Sequence, residues 1–185
     1  MFPIRRVATF LLLLSFAVLL CSCGAGENDT VSRQSSRGIG ESRNVTVGQA
    51  AEMIRAGQGN VRVVLLYGAF CPASREMFPD FVARAEVWRG RDVEVLAFST
   101  DDQESSWRKY LDSRSLPFEK VRILPWRPGQ LDAAFRPTGI HIGKTFGTPL
   151  IAVVDRDGRV IGQHSGVRGA EFAQEWLRSA GISIK

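Results

Sequence analysis

The sequence of 185 residues contains only three cysteines and two histidines, and this scarcity excludes several kinds of protein. Cys21 and Cys23 lie together at the end of an N-terminal apolar run, which leaves Cys71 alone in the rest of the chain. This set cannot build a network of internal disulfides, so the chain is not a small disulfide-stabilised secreted domain. His141 and His164 are far apart and lack cysteine or acidic partners at metal-ligand spacing. We therefore predict no metal site.

The charged residues are scattered along the chain and form no basic block, although the formal net charge is +5. We therefore expect no nucleic-acid partner. The sequence also has no glycine-rich phosphate loop and no Ser/His/Asp arrangement, and we expect the protein to act without a cofactor. What is present, 44% hydrophobic and 23% charged residues, is the composition of an ordinary globular chain with material for one core.

The N-terminus has the layout of an export signal, with two arginines before an almost wholly apolar run from Val7 to Leu20. This run is shorter than the roughly 20 residues that a membrane-spanning helix needs. It ends in Leu20-Cys-Ser-Cys23, which looks like a bacterial lipobox with Cys23 as the lipidated residue. We predict a signal peptide over residues 1–23 and a lipid anchor that attaches the exported protein to the membrane of the cell envelope, facing the periplasm or the cell exterior. An ordinary secretory signal and a short uncleaved anchor are the alternatives.

The chain after the signal divides into a tether and a domain. Residues 24–45 are rich in Gly, Ser, Asn and Arg, and we predict a flexible tether there. Residues 46–185 contain the periodic apolar patterns of a folded domain. The predicted strands are 61–67, 93–99, 120–124, 150–154 and 159–163, and the predicted helices follow Thr46, Cys71, Asp101 and Gly169, with one or two helical turns over 131–135. This order predicts an α/β domain with a mixed β-sheet flanked by helices on both faces.

Two local patterns place the boundaries of these elements. Asp101 and Glu104 have the spacing of a capping box, so we predict that a helix opens at Asp101. Asp155-Arg-Asp-Gly158, between two apolar runs, predicts a β-hairpin. The strand from Val61 to Tyr67 is predicted to be apolar on both faces, as is typical of a central buried strand.

The stretch from Val61 to Ser74 brings a single thiol to the point where a buried strand turns into a helix. We predict Cys71 at the N-cap and Pro72 at the first helical position, where the missing N–H of proline costs nothing. The unpaired amides and the positive end of the helix dipole both favour a thiolate there. A buried structural cysteine is the alternative interpretation.

Several motifs together resemble the thioredoxin superfamily, especially its membrane-tethered thiol–disulfide oxidoreductases of the TlpA/ResA, redoxin-like type. They are Tyr67-Gly-Ala-Phe-Cys-Pro-Ala-Ser74, Pro79, Thr148-Pro149 and Asp155-Arg-Asp-Gly158. The resemblance extends from about Thr46 to Ile182 and implies a thioredoxin-like fold. It implies that Cys71 is the attacking nucleophile and that Thr148-Pro149 is a cis-proline loop against the sulfur. Phe70, Pro72, Thr148 and Pro149 are then the expected substrate-binding residues.

The sequence departs from this superfamily at the second cysteine of its Cys-X-X-Cys motif, which is Ser74 here. Ser74 can donate a hydrogen bond to Cys71, and we count it with Cys71 as catalytic, but it cannot resolve a mixed disulfide. Release then needs a second molecule, so the expected partners are protein or low-molecular-weight disulfides and thiols. No acidic residue lies between Val61 and Tyr67, so the buried carboxylate of thioredoxins has no clear counterpart.

Three functions are compatible with these residues. The first is a monothiol thiol–disulfide oxidoreductase that acts through Cys71. The second is a redox-inactive binding module that holds an envelope protein in the same groove. The third is a thiol peroxidase that forms a sulfenic acid at Cys71, which is disfavoured because the threonine and arginine of peroxidatic sites are not arranged here as in peroxiredoxins.

Overall fold

The structure is a computed structural model that describes residues 42–143 and 147–184. The predicted signal peptide, Cys23 and the tether up to residue 41 lie outside the described residues. In the described part, six strands form one mixed sheet in the order β1-β4-β3-β2-β5-β6. The strands are β1 (Ser42–Val45), β2 (Val61–Tyr67), β3 (Val93–Ser99), β4 (Lys120–Ile123), β5 (Leu150–Val154) and β6 (Val160–Ser165). The helices are α1 (Val47–Ala56), α2 (Pro72–Arg89), α3 (Glu104–Leu111), α4 (Pro128–Phe135, followed by a 3₁₀ turn over Arg136–Thr138) and α5 (Gly169–Ser179).

The centre of the sheet is β2, which pairs in parallel with β3 and antiparallel with β5. Because successive side chains of a strand point to opposite faces, β2 contributes to two apolar cores. Val63 and Leu65 pack with residues of α2 and α5, whereas Val64 and Leu66 pack with residues of α1 and α4. The predicted α/β architecture, with a mixed sheet covered on both faces, is confirmed.

β1 corrects the predicted extent of the tether, because Ser42–Val45 lies inside the segment predicted to be flexible. It pairs in parallel with β4 along its whole length, from Ser42 opposite Lys120 to Val45 opposite Ile123. Only Val45 is apolar and buried, so the sequence carries almost no strand signal there. The backbone of this strand is satisfied by its pairing with β4, and Arg43 makes an ion pair of 2.8 Å with Glu119.

The predicted helix start at Asp101 is also wrong. The α3 helix begins at Glu104 with Gln103 at its N-cap, and no side chain caps it. The carboxylate of Asp101 makes no capping bond to α3 and instead accepts hydrogen bonds from the turn after β2, as described below. The capping-box spacing is therefore present in the sequence, but a stronger tertiary partner takes the aspartate.

Arg62 is an exception to the predicted apolar character of β2, because it is fully buried in that strand. Its guanidinium donates a hydrogen bond of 3.4 Å to the backbone oxygen of Asp155. Burial lowers the pKa of Arg62, while the charges of Glu94 and Asp155 oppose this effect. These groups lie at the start of β2, which is the opposite end of the strand from Cys71.

Among the described residues, no helix is both long and apolar enough to cross a membrane. The predicted lipid attachment at Cys23 lies outside these residues and stays a prediction.

Candidate functional site

Cys71 occupies the N-cap of α2, and Pro72 is the first residue of the helix, as predicted. The backbone between β2 and α2 forms a tight turn in which the Cys71 N–H donates to the Gly68 oxygen at 3.0 Å. Every residue of β2 is buried, which fixes the position from which this turn starts. The thiol is half-buried, and it is the only free cysteine in the part of the chain that the structure describes.

The structure brings Thr148 to Cys71 across 77 positions of sequence, with the Cys71 sulfur 3.1 Å from the Thr148 backbone oxygen. The Thr148–Pro149 peptide bond is cis. Pro149 is buried directly before β5, and its oxygen accepts a hydrogen bond of 2.9 Å from Gly166. The fold thus places the two motifs, Cys-Pro and Thr-Pro, side by side at one edge of the sheet.

The surroundings of the Cys71 sulfur favour its ionised form. Burial acts to raise the pKa of the Cys71 thiol, but hydrogen bonds from several neighbours outweigh it. These are the Thr148 side chain, the Ser74 backbone N–H and hydroxyl, and the Ala73 backbone N–H. The net result is that the pKa of the thiol lies below its ordinary value.

Ser74 links the sulfur to the turn. Its side chain is buried, with an exposed fraction of 1%. Its hydroxyl oxygen accepts a hydrogen bond of 3.3 Å from the Gly68 N–H. Because the same hydroxyl interacts with the Cys71 sulfur, Ser74 acts here as a hydrogen-bond donor at the position of a second cysteine.

Asp101 is the site residue that the sequence reasoning missed. It is only 3% exposed and lies just beyond the end of β3. Its two carboxylate oxygens accept hydrogen bonds from the consecutive N–H groups of Ala69, at 2.9 Å, and Phe70, at 3.2 Å. Since β2 and β3 are parallel and Tyr67 pairs with Ser99, residues that follow both strands meet at the same edge. A parallel pairing of these two strands therefore predicts that Asp101 lies near the turn before Cys71.

Phe70 and Pro72 lie on the surface beside Cys71. Phe70 is 65% exposed, an unusual position for a large apolar side chain. A Cβ atom on Gly68 would lie 2.6 Å from the Phe70 ring, so the ring can take this position only because residue 68 is glycine. Both predicted contact residues are thus accessible to another molecule.

His141 and Trp126 are polar side chains outside the contacts of Cys71 described above. His141 is exposed, and its backbone N–H donates to the Gln163 side chain of β6 at 3.0 Å, whereas the contacts of Cys71 do not include it. Trp126, in the loop before α4, is partly buried and donates to the Thr100 oxygen at 2.9 Å. Among residues 42–143 and 147–184, no group of three metal-ligating side chains is present.

No family model and no curated protein matches the sequence. Solved structures do match. A thioredoxin-family thiol:disulfide interchange protein of Chlorobium tepidum TLS is 23% identical, with 68% of this chain and 83% of that chain covered and a TM-score of 0.55. A C. tepidum protein assigned as the interchange protein DsbE is 21% identical, with 69% and 84% covered and a TM-score of 0.53. A thiol:disulfide interchange protein from Bacteroides sp. is 15% identical, with 74% and 78% covered and a TM-score of 0.50. The chain therefore has the thioredoxin-like fold that its motifs predict.

Proposed function

We propose that the protein is a thiol–disulfide oxidoreductase that acts through Cys71 alone. The observation that carries this proposal is the Cys71 sulfur at the N-terminus of α2, surrounded by hydrogen-bond donors that lower its pKa. A merely structural cysteine in apolar surroundings would have a raised pKa instead. The likeness to the two C. tepidum structures, whose names describe thiol:disulfide interchange, supports the same reaction class.

The proposed cycle has two exchange steps. The Cys71 thiolate attacks one sulfur of a disulfide, the substrate S–S bond breaks, and the other sulfur leaves as a thiolate that takes a proton from solvent. A second thiol, after losing its proton to solvent, attacks the mixed disulfide as a thiolate, forms a new disulfide with the bound group and releases Cys71 as a thiolate. This second thiol belongs to a small molecule or another protein, because Ser74 supplies no sulfur.

The Thr148 backbone oxygen lies 3.1 Å from the Cys71 sulfur, which supports a substrate position beside this segment. We infer that the Thr148-Pro149 segment and the exposed Phe70 and Pro72 contact the residues that flank a substrate disulfide. An exposed aromatic ring supplies apolar area to a protein partner but little to a small disulfide.

Phe70→Ala is therefore expected to slow exchange with a disulfide-containing protein or peptide about tenfold, because a buried aromatic contact is worth roughly 1–2 kcal/mol. Exchange with a small disulfide such as oxidised 2-mercaptoethanol should change less than about twofold. Val87→Ala is the matched control, since Val87 is also an exposed apolar residue but lies about 24 Å from Cys71 along the α2 axis. Equal losses for both disulfides would argue against a substrate-contact role of Phe70.

The direct test of the proposal is the pH dependence of alkylation of Cys71 by iodoacetamide. We expect a midpoint below the value of about 8.5 for a free cysteine, because the hydrogen bonds to sulfur favour the thiolate. A lowered pKa means that the thiolate persists to lower pH than in a free thiol and is lost as the pH falls through the pKa of the folded protein. A midpoint at or above 8.5 or so would contradict the proposal.

We also propose that the domain is exported and attached to a membrane by a lipid on Cys23. The support for this is the N-terminal sequence, in which two arginines, an apolar run and Leu20-Cys-Ser-Cys23 follow one another. A tether of about 20 residues has a root-mean-square span of roughly 25 Å, which is enough to separate a folded domain from the membrane surface.

A binding module without turnover is the second candidate, and the buried Ser74 favours it. A site that lacks a resolving thiol can hold a partner in the groove beside Thr148 without completing a cycle. In that case partner binding survives the loss of the Cys71 sulfur, which distinguishes it from the first candidate.

A further inference from the structure

We propose that Asp101 is a positioning residue for Cys71: its carboxylate holds the turn that sets the sulfur against Ser74 and Thr148. The inference rests on the proposed function only in taking Cys71 as the reacting group. Asp101 does not touch the sulfur itself, and its contacts are with the backbone two residues and one residue before Cys71.

The burial of Asp101 indicates that the carboxylate has a specific task. Removing a carboxylate from water is costly unless hydrogen bonds replace those of water. Asp101 is 3% exposed, and besides the two amides of the turn it accepts a hydrogen bond of 2.6 Å from the Ser99 hydroxyl. The Asp101 N–H in turn donates to the Ser99 oxygen at 3.0 Å, which fixes the carboxylate relative to the end of β3.

The turn depends on Asp101 for half of its amide hydrogen bonds. The Gly68 N–H donates to the Ser74 hydroxyl and the Cys71 N–H donates to the Gly68 oxygen. The remaining two N–H groups, of Ala69 and Phe70, donate to the two oxygens of Asp101. If these two bonds are lost, the turn is free to move relative to β3, and the contacts of sulfur with Ser74 and Thr148 move with it.

The aspartate side chain offers one acceptor oxygen to each of the two donors. An asparagine offers one oxygen and one NH₂ group, so one amide of the turn would face another donor. Removing the negative charge of Asp101 would by itself favour the Cys71 thiolate and lower its pKa. The hydrogen bonds that lower the pKa of Cys71 come from Thr148, Ser74 and Ala73, and they depend on the position of the turn. We expect their weakening, which raises the pKa, to be the larger effect.

The test is iodoacetamide alkylation of Asp101→Asn against pH, with Asp102→Asn as the matched control. Asp102 is the adjacent, exposed acid, so the control removes the same charge without touching the turn. We expect the Asp101→Asn midpoint to move up and the alkylation rate at neutral pH to fall about tenfold, the change that corresponds to 1.4 kcal/mol. The control should alkylate like the wild type.

Two further measurements separate positioning from a purely structural role. Amide hydrogen exchange of Ala69 and Phe70 should accelerate in Asp101→Asn, and the melting temperature shows whether the variant folds. If Asp101→Asn does not fold, Ser99→Ala tests the proposal in its place. This change removes the hydroxyl that donates to Oδ2 of Asp101 and leaves the Asp101 carboxylate present. It should shift the alkylation midpoint in the same direction by a smaller amount.

A folded Asp101→Asn protein with the wild-type alkylation profile would overturn the proposal, as would an unshifted Ser99→Ala profile if Asp101→Asn does not fold. Alkylation needs no disulfide substrate. A protein that fails to exchange disulfides but shows the Asp101 shift would therefore contradict the proposed function and leave the positioning role supported.

Discussion

Cys71→Ser is expected to abolish exchange with a small disulfide, down to the uncatalysed background, and to leave the fold intact. A serine hydroxyl is not ionised at neutral pH, and sulfur is the atom that enters the mixed disulfide. The change is mild for the structure, because the side chain is half-buried and its hydrogen bond to the Thr148 oxygen can be made by a hydroxyl. The measurement is release of a chromophoric thiol from an aromatic disulfide, with circular dichroism and the melting temperature as checks of folding.

The melting temperature of this variant carries additional information. The Cys71 sulfur is a weak acceptor for the Ala73 and Ser74 N–H groups and closes no regular capping bond, whereas serine is among the best N-cap residues. We therefore expect the free energy of unfolding to be unchanged or to rise by up to about 1 kcal/mol. An inactive variant that is also strongly destabilised would not count as support for a catalytic sulfur.

The same variant separates the candidate functions. If exchange in Cys71→Ser equals that of the wild type, the oxidoreductase proposal is wrong. If the wild type itself shows no exchange, and a partner protein binds the wild type and Cys71→Ser equally, the binding module is supported. Weaker binding after a change of Thr148 would then place the partner in the groove beside Cys71.

The parts of the fold that the sequence predicted are those with strong local patterns. The run of β-branched and aliphatic residues from Val61 to Tyr67 and the Cys71-Pro72 pair mark the end of a buried strand and the start of a helix. Asp155-Arg-Asp-Gly158 marks the hairpin. In each case the conformation that the local residues prefer is the one that the fold requires, so the local pattern is sufficient to predict the element.

The parts that it missed depend on partners distant in sequence. β1 has one buried apolar residue and forms because β4 supplies a parallel neighbour. Asp101 fits a capping box with Glu104 by spacing, but the amides of Ala69 and Phe70, 32 and 31 positions away, take its carboxylate. The contact between Cys71 and Thr148 spans 77 positions and was expected only because the two motifs together resemble a known superfamily.

The pairing of parallel strands explains why Asp101 was within reach of prediction. Once β2 and β3 are taken as adjacent and parallel, the residues after Tyr67 and after Ser99 must share one edge of the sheet. A buried carboxylate just beyond β3 is then a neighbour of the turn before Cys71. The strand β2 itself carries no acid, so the carboxylate at this edge comes from the segment after β3.

Ser74→Cys is expected to convert the site into one that resolves its own mixed disulfide. Ser74 is the third residue of α2, and its buried hydroxyl already interacts with the Cys71 sulfur, so a thiol there meets a group bound to Cys71. Loss of the hydrogen bond from the Gly68 N–H costs about 1 kcal/mol, which a folded domain tolerates. The effective concentration of the introduced thiol at the mixed disulfide need only be ~1 M to exceed that of an external thiol at ~1 mM by about a thousandfold.

The measurement is the lifetime of the mixed disulfide formed with a small disulfide, followed by mass spectrometry. At ~1 mM external thiol we expect it to fall by at least about a hundredfold in Ser74→Cys, with a disulfide between Cys71 and the introduced thiol as the product. Ser106→Cys, which places a second thiol on the exposed surface of α3, is the matched control and should keep the wild-type lifetime. A mixed disulfide that persists in Ser74→Cys would mean that position 74 does not reach the bound sulfur. A short lifetime would mean that Ser74 is what makes the wild-type protein depend on an external thiol for release.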